Sequence, residues 1–285
     1  MPGQSPAERR FAVPGLTLAA AEWGDPAGVP LLALHGWLDN AASFDLLAPL
    51  LEGTHLISLD LAGHGQSGFR SPDSGYNLWQ DVGDLLDVAD RLGWQKLNLL
   101  GHSRGGAIAM LFAATFPERV EKLVLIDGGL PFPGEADEAP AELAKALTER
   151  RSVRPGRVFR DRATAVAERA RGFSKISIAA AEVLARRGLV AVEGGYQWRA
   201  DPRLKATSEL KLTPAHVLAF VRRVAAPVLL FMPDESPFKN LDLYRVALPA
   251  FANLEIVHLP GRHHLHLEGA AERIAAEMRR FLDLP

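Results

Sequence analysis

The chain contains no cysteine, so it forms no disulfide, binds no metal through sulfur and offers no thiolate nucleophile. It also lacks a charge excess. Its 32 basic and 34 acidic residues leave a formal net charge of −2, which argues against a broad electrostatic footprint for nucleic acid or an anionic membrane surface. No apolar run approaches the roughly 20 residues needed to cross a bilayer. Met1–Arg10 has neither an apolar signal core nor a small-residue cleavage site. Internal repeats and low-complexity linkers are absent. No segment reads as a Gly-x-Gly-x-x-Gly or Lys-Ser/Thr phosphate loop, so no nucleotide cofactor is implied. These absences leave a cytoplasmic globular protein with a small-molecule partner, no nucleic-acid or membrane partner, and no cofactor. Its 285 residues, 48% hydrophobic and 23% charged, suffice for one large domain or a domain with a sizeable insertion.

What is present is an alternation of short apolar runs with helical patterns. Phe11–Trp23 reads as one or two edge strands. Val29–Leu34, His55–Asp60, Lys96–Leu100, Val120–Ile126, Pro227–Phe231 and Leu254–Leu259 read as strands, Val29–Leu34 being continuously apolar as in a sheet covered on both faces. Between them, helical spacing occurs over Asn40–Leu51, around Val82, Leu85, Leu86, Ala89 and Leu92 with Gly93 as a stop, over Gly105–Thr115, and in the last segment from Ala271 to Leu282. The order predicts a mostly parallel α/β sheet, doubly wound with helices on both faces. The alternation stops from Gly128 to about Arg223, where helical segments near 141–151, 160–171 and 176–187 and no convincing buried strand are read. This predicts a core of residues 1–129 and 224–285 with a helical cap, 130–223, inserted after the strand ending at Asp127.

In such sheets, sites lie beyond the carboxyl ends of the strands. There the sequence places His35-Gly36-Trp37, Asp60, Gly101-His102-Ser103-Arg104-Gly105, Asp127, Pro233-Asp234-Glu235-Ser236, and Pro260-Gly261-Arg262-His263-His264-Leu265-His266. Gly101 and Gly105 lack a Cβ, so strand and helix can approach closely while Ser103 is held strained with its hydroxyl exposed. A serine hydroxyl needs an imidazole to take its proton and a carboxylate to orient that imidazole. A metal reading of the histidine cluster is disfavoured, because neighbouring histidines point apart in either regular structure and no carboxylate is spaced to complete a site.

The ordered motifs His35-Gly36, Asp60-x-x-Gly-His-Gly-x-Ser67, Gly101-x-Ser103-x-Gly105, Val124-Leu-Ile-Asp127 and Pro260-Gly-x-His263 resemble those of α/β-hydrolases over nearly the whole chain. The run Leu34–Phe44 together with His263-His-Leu-His-Leu-Glu268 is similar to the serine hydrolase-like (kraken-like) branch. The resemblance implies Ser103 as nucleophile and the backbone N–H groups of Trp37 and Arg104 as an oxyanion hole. It implies a structural role for His35 and a turn-shaping role for Asp60. It implies His263 as the base, with His264 as the alternative. For the acid, the usual turn after Val228–Phe231 carries Ser236 where the carboxylate would stand. Some branches of the family instead carry the acid at the end of the strand after the elbow helix, where Asp127 stands, so the resemblance favours Asp127, ahead of Asp234 and then Glu235. The implied activity is a serine hydrolase of the carboxylic-ester type working on a carbonyl substrate. Carbon–carbon or thioester hydrolysis and a non-catalytic ligand-binding protein are the alternatives. Phe132, Phe159, Phe173, Tyr196 and Trp198 suggest a partly apolar acyl pocket under the cap, and the chain is expected to be a monomer or homodimer.

Overall fold

Alternate residues of the central strands enter two different apolar clusters. Leu32, Leu34, Leu99 and Leu125 pack into one, while Leu31, Ala33, Leu100 and Val124 pack into the other. A strand whose two faces are both covered places apolar residues on both sides, because successive side chains point in opposite directions. The computed structural model describes residues 5–172 and 174–285. In chain order, β1 (Ala7–Val13), β2 (Leu16–Gly24), β3 (Val29–Leu34), β4 (Thr54–Leu59), β5 (Leu97–His102) and β6 (Val120–Ile126) precede the inserted segment. That segment contains β7 (Val158–Phe159), β8 (Leu189–Val192) and β9 (Gly195–Trp198), and β10 (Val228–Pro233) and β11 (Leu254–Leu259) follow it.

Eight strands form one sheet in the order β1-β2-β4-β3-β5-β6-β10-β11. The β1–β2 and β2–β4 pairs are antiparallel, and the pairs from β4 to β11 are parallel. Helices α1 (Leu78–Arg91) and α2 (Arg104–Thr115) contribute to the first cluster. The C-terminal α8 (Ala271–Phe281) covers the other face through Ile274, Ala275 and Met278. The predicted doubly wound α/β sheet is therefore present. No helix among the described residues is long and apolar enough to cross a membrane.

Three local features differ from the periodicity. Residues 40–51 form two short 3₁₀ turns, Ala41–Phe44 and Ala48–Leu50, instead of one helix. Asn40 caps the first with its side chain, and Pro49, which has no N–H to donate, sits in the second. The segment between β6 and β10 does hold α3 (Ala139–Arg151), α4 (Arg162–Arg171) and α5 (Ile178–Gly188). It also holds a three-stranded antiparallel sheet ordered β7-β9-β8, so it is not purely helical. Finally, α6 (Pro214–Arg223) sends Val217 and Val221 into the same cluster as α2. The last helix before residue 224 thus packs with the α/β core.

Candidate active site

The tight turn between β5 and α2 places Ser103. A Cβ on Gly101 would lie 2.5 Å from the Cα of Gly106, and one on Gly105 would lie 2.1 Å from the carbonyl oxygen of Leu34. Neither position accepts a larger residue without pushing the helix off the strand. The Ser103 backbone has φ 53° and ψ −117°. Its N–H donates to the Ile126 carbonyl at 3.1 Å, and its own carbonyl accepts from Ala107 at 3.1 Å. Two further non-glycine residues with positive φ flank it at the strand ends, Leu38 (61°) and Asp127 (37°). Backbone held in such sparsely populated conformations costs of order 1–3 kcal/mol per residue; Leu38 and Ser103 line one cavity, and Asp127 follows Ile126, whose carbonyl takes the Ser103 N–H.

His263 Nδ1 lies 2.7 Å from Asp127 Oδ2. A carboxylate oxygen can only accept, so Nδ1 carries the proton in this contact, and the other ring nitrogen, Nε2, is left out of it. Asp127 is fully buried. Its other oxygen accepts from the Ser236 hydroxyl at 2.5 Å, and that hydroxyl oxygen in turn accepts the Phe238 N–H at 3.0 Å. The serine in the usual acid's position therefore supports the carboxylate that His263 meets. Asp234 and Glu235 are both exposed. Glu235 pairs with Arg262, and neither touches His263.

The neighbouring His264 faces a different carboxylate. Its Nε2 is 2.9 Å from Asp39 Oδ2, while Asp39 Oδ1 accepts from Arg169 Nη2 of α4 at 2.5 Å. Burial pushes the Asp39 carboxyl up, but His264 and Arg169 outweigh it and hold the group well below the ordinary carboxylate range. His102 lies between the two pairs, its Nε2 donating to the His263 carbonyl at 3.0 Å. Burial, reinforced by the rings of His266, His263 and His264, holds His102 well below the usual imidazole range. A nitrogen from each of His102, His263 and His264 lies within 4.8 Å of the others. The histidines therefore do converge, which spacing along the chain did not predict. Each of the three already commits one nitrogen to the bonds just described.

The remaining predicted residues fall into place around this centre. The Trp37 indole donates to the Leu204 carbonyl at 2.9 Å. The Arg104 guanidinium turns toward α1 and binds Asp81 at 2.8 Å. The backbone N–H groups of Trp37 and Arg104 have no backbone partner among the described residues, and the latter opens α2, where the helix dipole is positive. His35 Nδ1 donates to the Gly36 carbonyl at 2.7 Å while Nε2 accepts the Leu61 N–H at 3.0 Å, so this ring is spent on the turn. Asp60 accepts from Ala41 N–H (2.7 Å), Gln66 N–H (2.8 Å) and Arg187 Nε of α5 (2.8 Å).

A cavity of about 640 Å³ exposes Ser103, His263, Trp37 and Arg104 together. Leu130, Phe132, Leu212 and Phe238 line it, with Trp79 on the side of α1. Of the aromatics expected to form an acyl pocket, Phe132 alone among the described ones lines this cavity. Phe159 and Trp198 line a second one, Tyr196 lines neither, and Phe173 lies outside the described residues. Sequence reasoning missed Asp39, Arg169 and His102. The one available signal was the histidine inside Gly-x-Ser-x-Gly, beside Ser103.

Residues 29–186 match the family described as the alpha/beta hydrolase fold. The chain is 32% identical to serine hydrolase-like protein 2 of Homo sapiens, over 96% of this chain and 93% of that one. A crystal structure of a hypothetical protein from Pseudomonas aeruginosa PAO1 is 45% identical and superposes with a TM-score of 0.93, covering 97% of this chain and 99% of the other. The thioesterase domain from the curacin biosynthetic pathway is 25% identical, with a TM-score of 0.87 over 96% and 99% of the two chains.

Proposed function

The chain belongs to the α/β-hydrolase fold family, in its serine hydrolase-like branch, and on that premise we propose that it hydrolyses carboxylic esters through an acyl-enzyme on Ser103. The observation that carries this reading is the 2.7 Å contact between His263 Nδ1 and Asp127 Oδ2, on the wall of the cavity that exposes the strained Ser103. His263 Nε2 takes the proton of the Ser103 hydroxyl as the oxygen adds to the ester carbonyl. The oxyanion that forms is met by the N–H groups of Trp37 and Arg104, which have no other backbone partner. Collapse expels the alkoxide, which leaves as alcohol with the proton from His263. Water then repeats the sequence on the acyl-enzyme, and the carboxylic acid departs. Throughout, the charge of Asp127 stabilises the imidazolium and the Ser236 hydroxyl keeps the carboxylate in place.

The serine at 236, where a carboxylate is usual, is the feature that favours a receptor with no chemistry; the contact of Asp127 with His263 supports the catalytic reading instead. Thioester hydrolysis by the same residues is a second reading, favoured by the likeness to a thioesterase domain. The test is turnover of 4-nitrophenyl butyrate and labelling by a fluorophosphonate. Ser103→Ala is expected to abolish labelling and to lower kcat by about 10⁶. A Ser103→Ala protein with wild-type turnover would falsify the proposal. Butyryl thioesters measured alongside decide between the two acyl classes.

A further inference from the structure

Six Lys and Arg side chains line the cavity that exposes Ser103. Five are matched by a carboxylate: Arg104 by Asp81, Arg150 by Glu209, Arg169 by Asp39, Arg203 by Asp201 and Lys211 by Glu142. Lys205 is the exception, having no carboxylate within ion-pairing distance among the described residues. It belongs to the 3₁₀ turn Pro202–Lys205, whose Leu204 carbonyl holds the Trp37 indole. The unmatched cation is thus carried by the same turn that braces the loop beside the nucleophile.

Lys205 also lines a second cavity, of about 610 Å³, which shares Leu38, Arg169, Gly172, Lys205 and Ala206 with the first. Arg154 on its wall is likewise without a carboxylate partner among the described residues. The acids there are engaged: Glu168 pairs with Arg157, and Glu149 accepts the Thr207 N–H at 2.8 Å with Lys145 at 3.8 Å. Lys205 and Arg154 are exposed, and with the acids of this wall engaged they leave it with a net positive field, which a ligand of the opposite sign complements.

We propose that the substrate is elongated and anionic, with its scissile carbonyl at Ser103 and a carboxylate or phosphate at its far end seated in the second cavity against Lys205 and Arg154. This rests on the hydrolase reading above and adds the substrate class. The apolar wall of the first cavity takes the uncharged middle of the molecule, and the two cations select the charged end. Carboxylate and phosphate share this recognition chemistry, so the test has one arm for each.

The first arm compares 4-nitrophenyl hexanoate with the mono-4-nitrophenyl ester of adipic acid, which differs by a terminal carboxylate. The second compares hexanoyl-pantetheine with its 4′-phosphate. In at least one arm the charged member is expected to have the lower KM, by about three- to tenfold, the size of a partly solvated charge contact. That ratio should shrink as salt is raised. Lys205→Gln and Arg154→Gln should move the ratio toward one, and Lys205→Glu should invert it. Equal KM values within both pairs, or a Lys205→Glu protein that shifts both members alike, overturns the anionic substrate while Ser103-dependent turnover keeps the hydrolase reading intact. If no probe is hydrolysed, the hydrolase reading is what fails. Calorimetric binding of adipate against hexanoate then reads the cations without turnover: tighter adipate binding lost in Lys205→Glu supports the site, and equal binding removes it.

Discussion

Two adjacent histidines each meet a buried aspartate, yet the two pairs are built for different work. His263 faces Asp127, whose second oxygen accepts from a neutral hydroxyl, that of Ser236. His264 faces Asp39, whose second oxygen is taken by the Arg169 guanidinium. Among the described residues Asp127 has no Lys or Arg paired to it, so in the proposed reaction its charge is free to stabilise an imidazolium. Asp39 has already placed its charge on Arg169. Its carboxylate ties three pieces of chain together: the loop after β3, the loop after β11, and α4 of the inserted segment. The same pair of residue types thus fits the proposed catalytic role in one place and a structural clamp in the other, and the partner of the second oxygen makes the difference.

The largest effect that sharpens this contrast is expected from Asp127→Asn. The amide puts a donor where His263 needs an acceptor, forcing the wrong tautomer, and kcat should fall by about 10⁴ with little change in melting temperature. Asp39→Asn should do the reverse. It leaves Arg169 beside a neutral partner, and loss of one member of a buried pair destabilises by about 3–5 kcal/mol, readable as a shift in urea midpoint. If Asp39→Asn instead lost activity at unchanged stability, the distinction between the pairs would collapse. Ser236→Ala is a smaller test. Removing a hydrogen bond to a charged group should lower kcat about tenfold, and Ser236→Thr should restore part of it.

The smallest effect is in pH. Burial, then the neighbouring histidines, pushes His266 down to about 3, and His102 is depressed for the same reasons. The unfolded chain binds protons on these rings from about pH 6.5 downward while the folded chain does not, so stability is full above that value and declines as pH falls toward 3. Asp39, also depressed, adds its own loss below the ordinary carboxylate range. A melting temperature that stays flat between pH 7 and 4 would contradict this. Exchanging His266 for Gln should flatten the upper part of the slope.

Much of the fold was legible because burial on both faces leaves a coarse mark: β10 is apolar at every position, β4 and β5 carry leucine or isoleucine at half of theirs, and all three strands are wholly buried. The β7–β9 sheet left none. Its strands are two to four residues long and mostly half-exposed, too short for any alternation to register. At the site, Ser103 was legible because its glycines are demanded by steric contact at fixed spacing. The partnership of Asp127 with His263 is a contact across 136 residues. Asp127, Asp234 and Glu235 were ranked as candidates, and only the folded geometry shows which one His263 meets. Asp39 was invisible for a related reason. A single carboxylate in a loop has no period, and its partners lie 130 and 225 residues away.

The positive φ angles of Leu38, Ser103 and Asp127 have a consequence for anyone who would make this protein more robust. Glycine adopts such angles without penalty, so Ser103→Gly would relieve backbone tension at the position the reaction is proposed to depend on most. Selection for heat resistance alone would be drawn to that substitution and would return a firmer, inert molecule. Evolving the protein safely therefore requires activity to be screened in every round, with stabilising changes sought on α8 and the outer strands, away from the three strained residues.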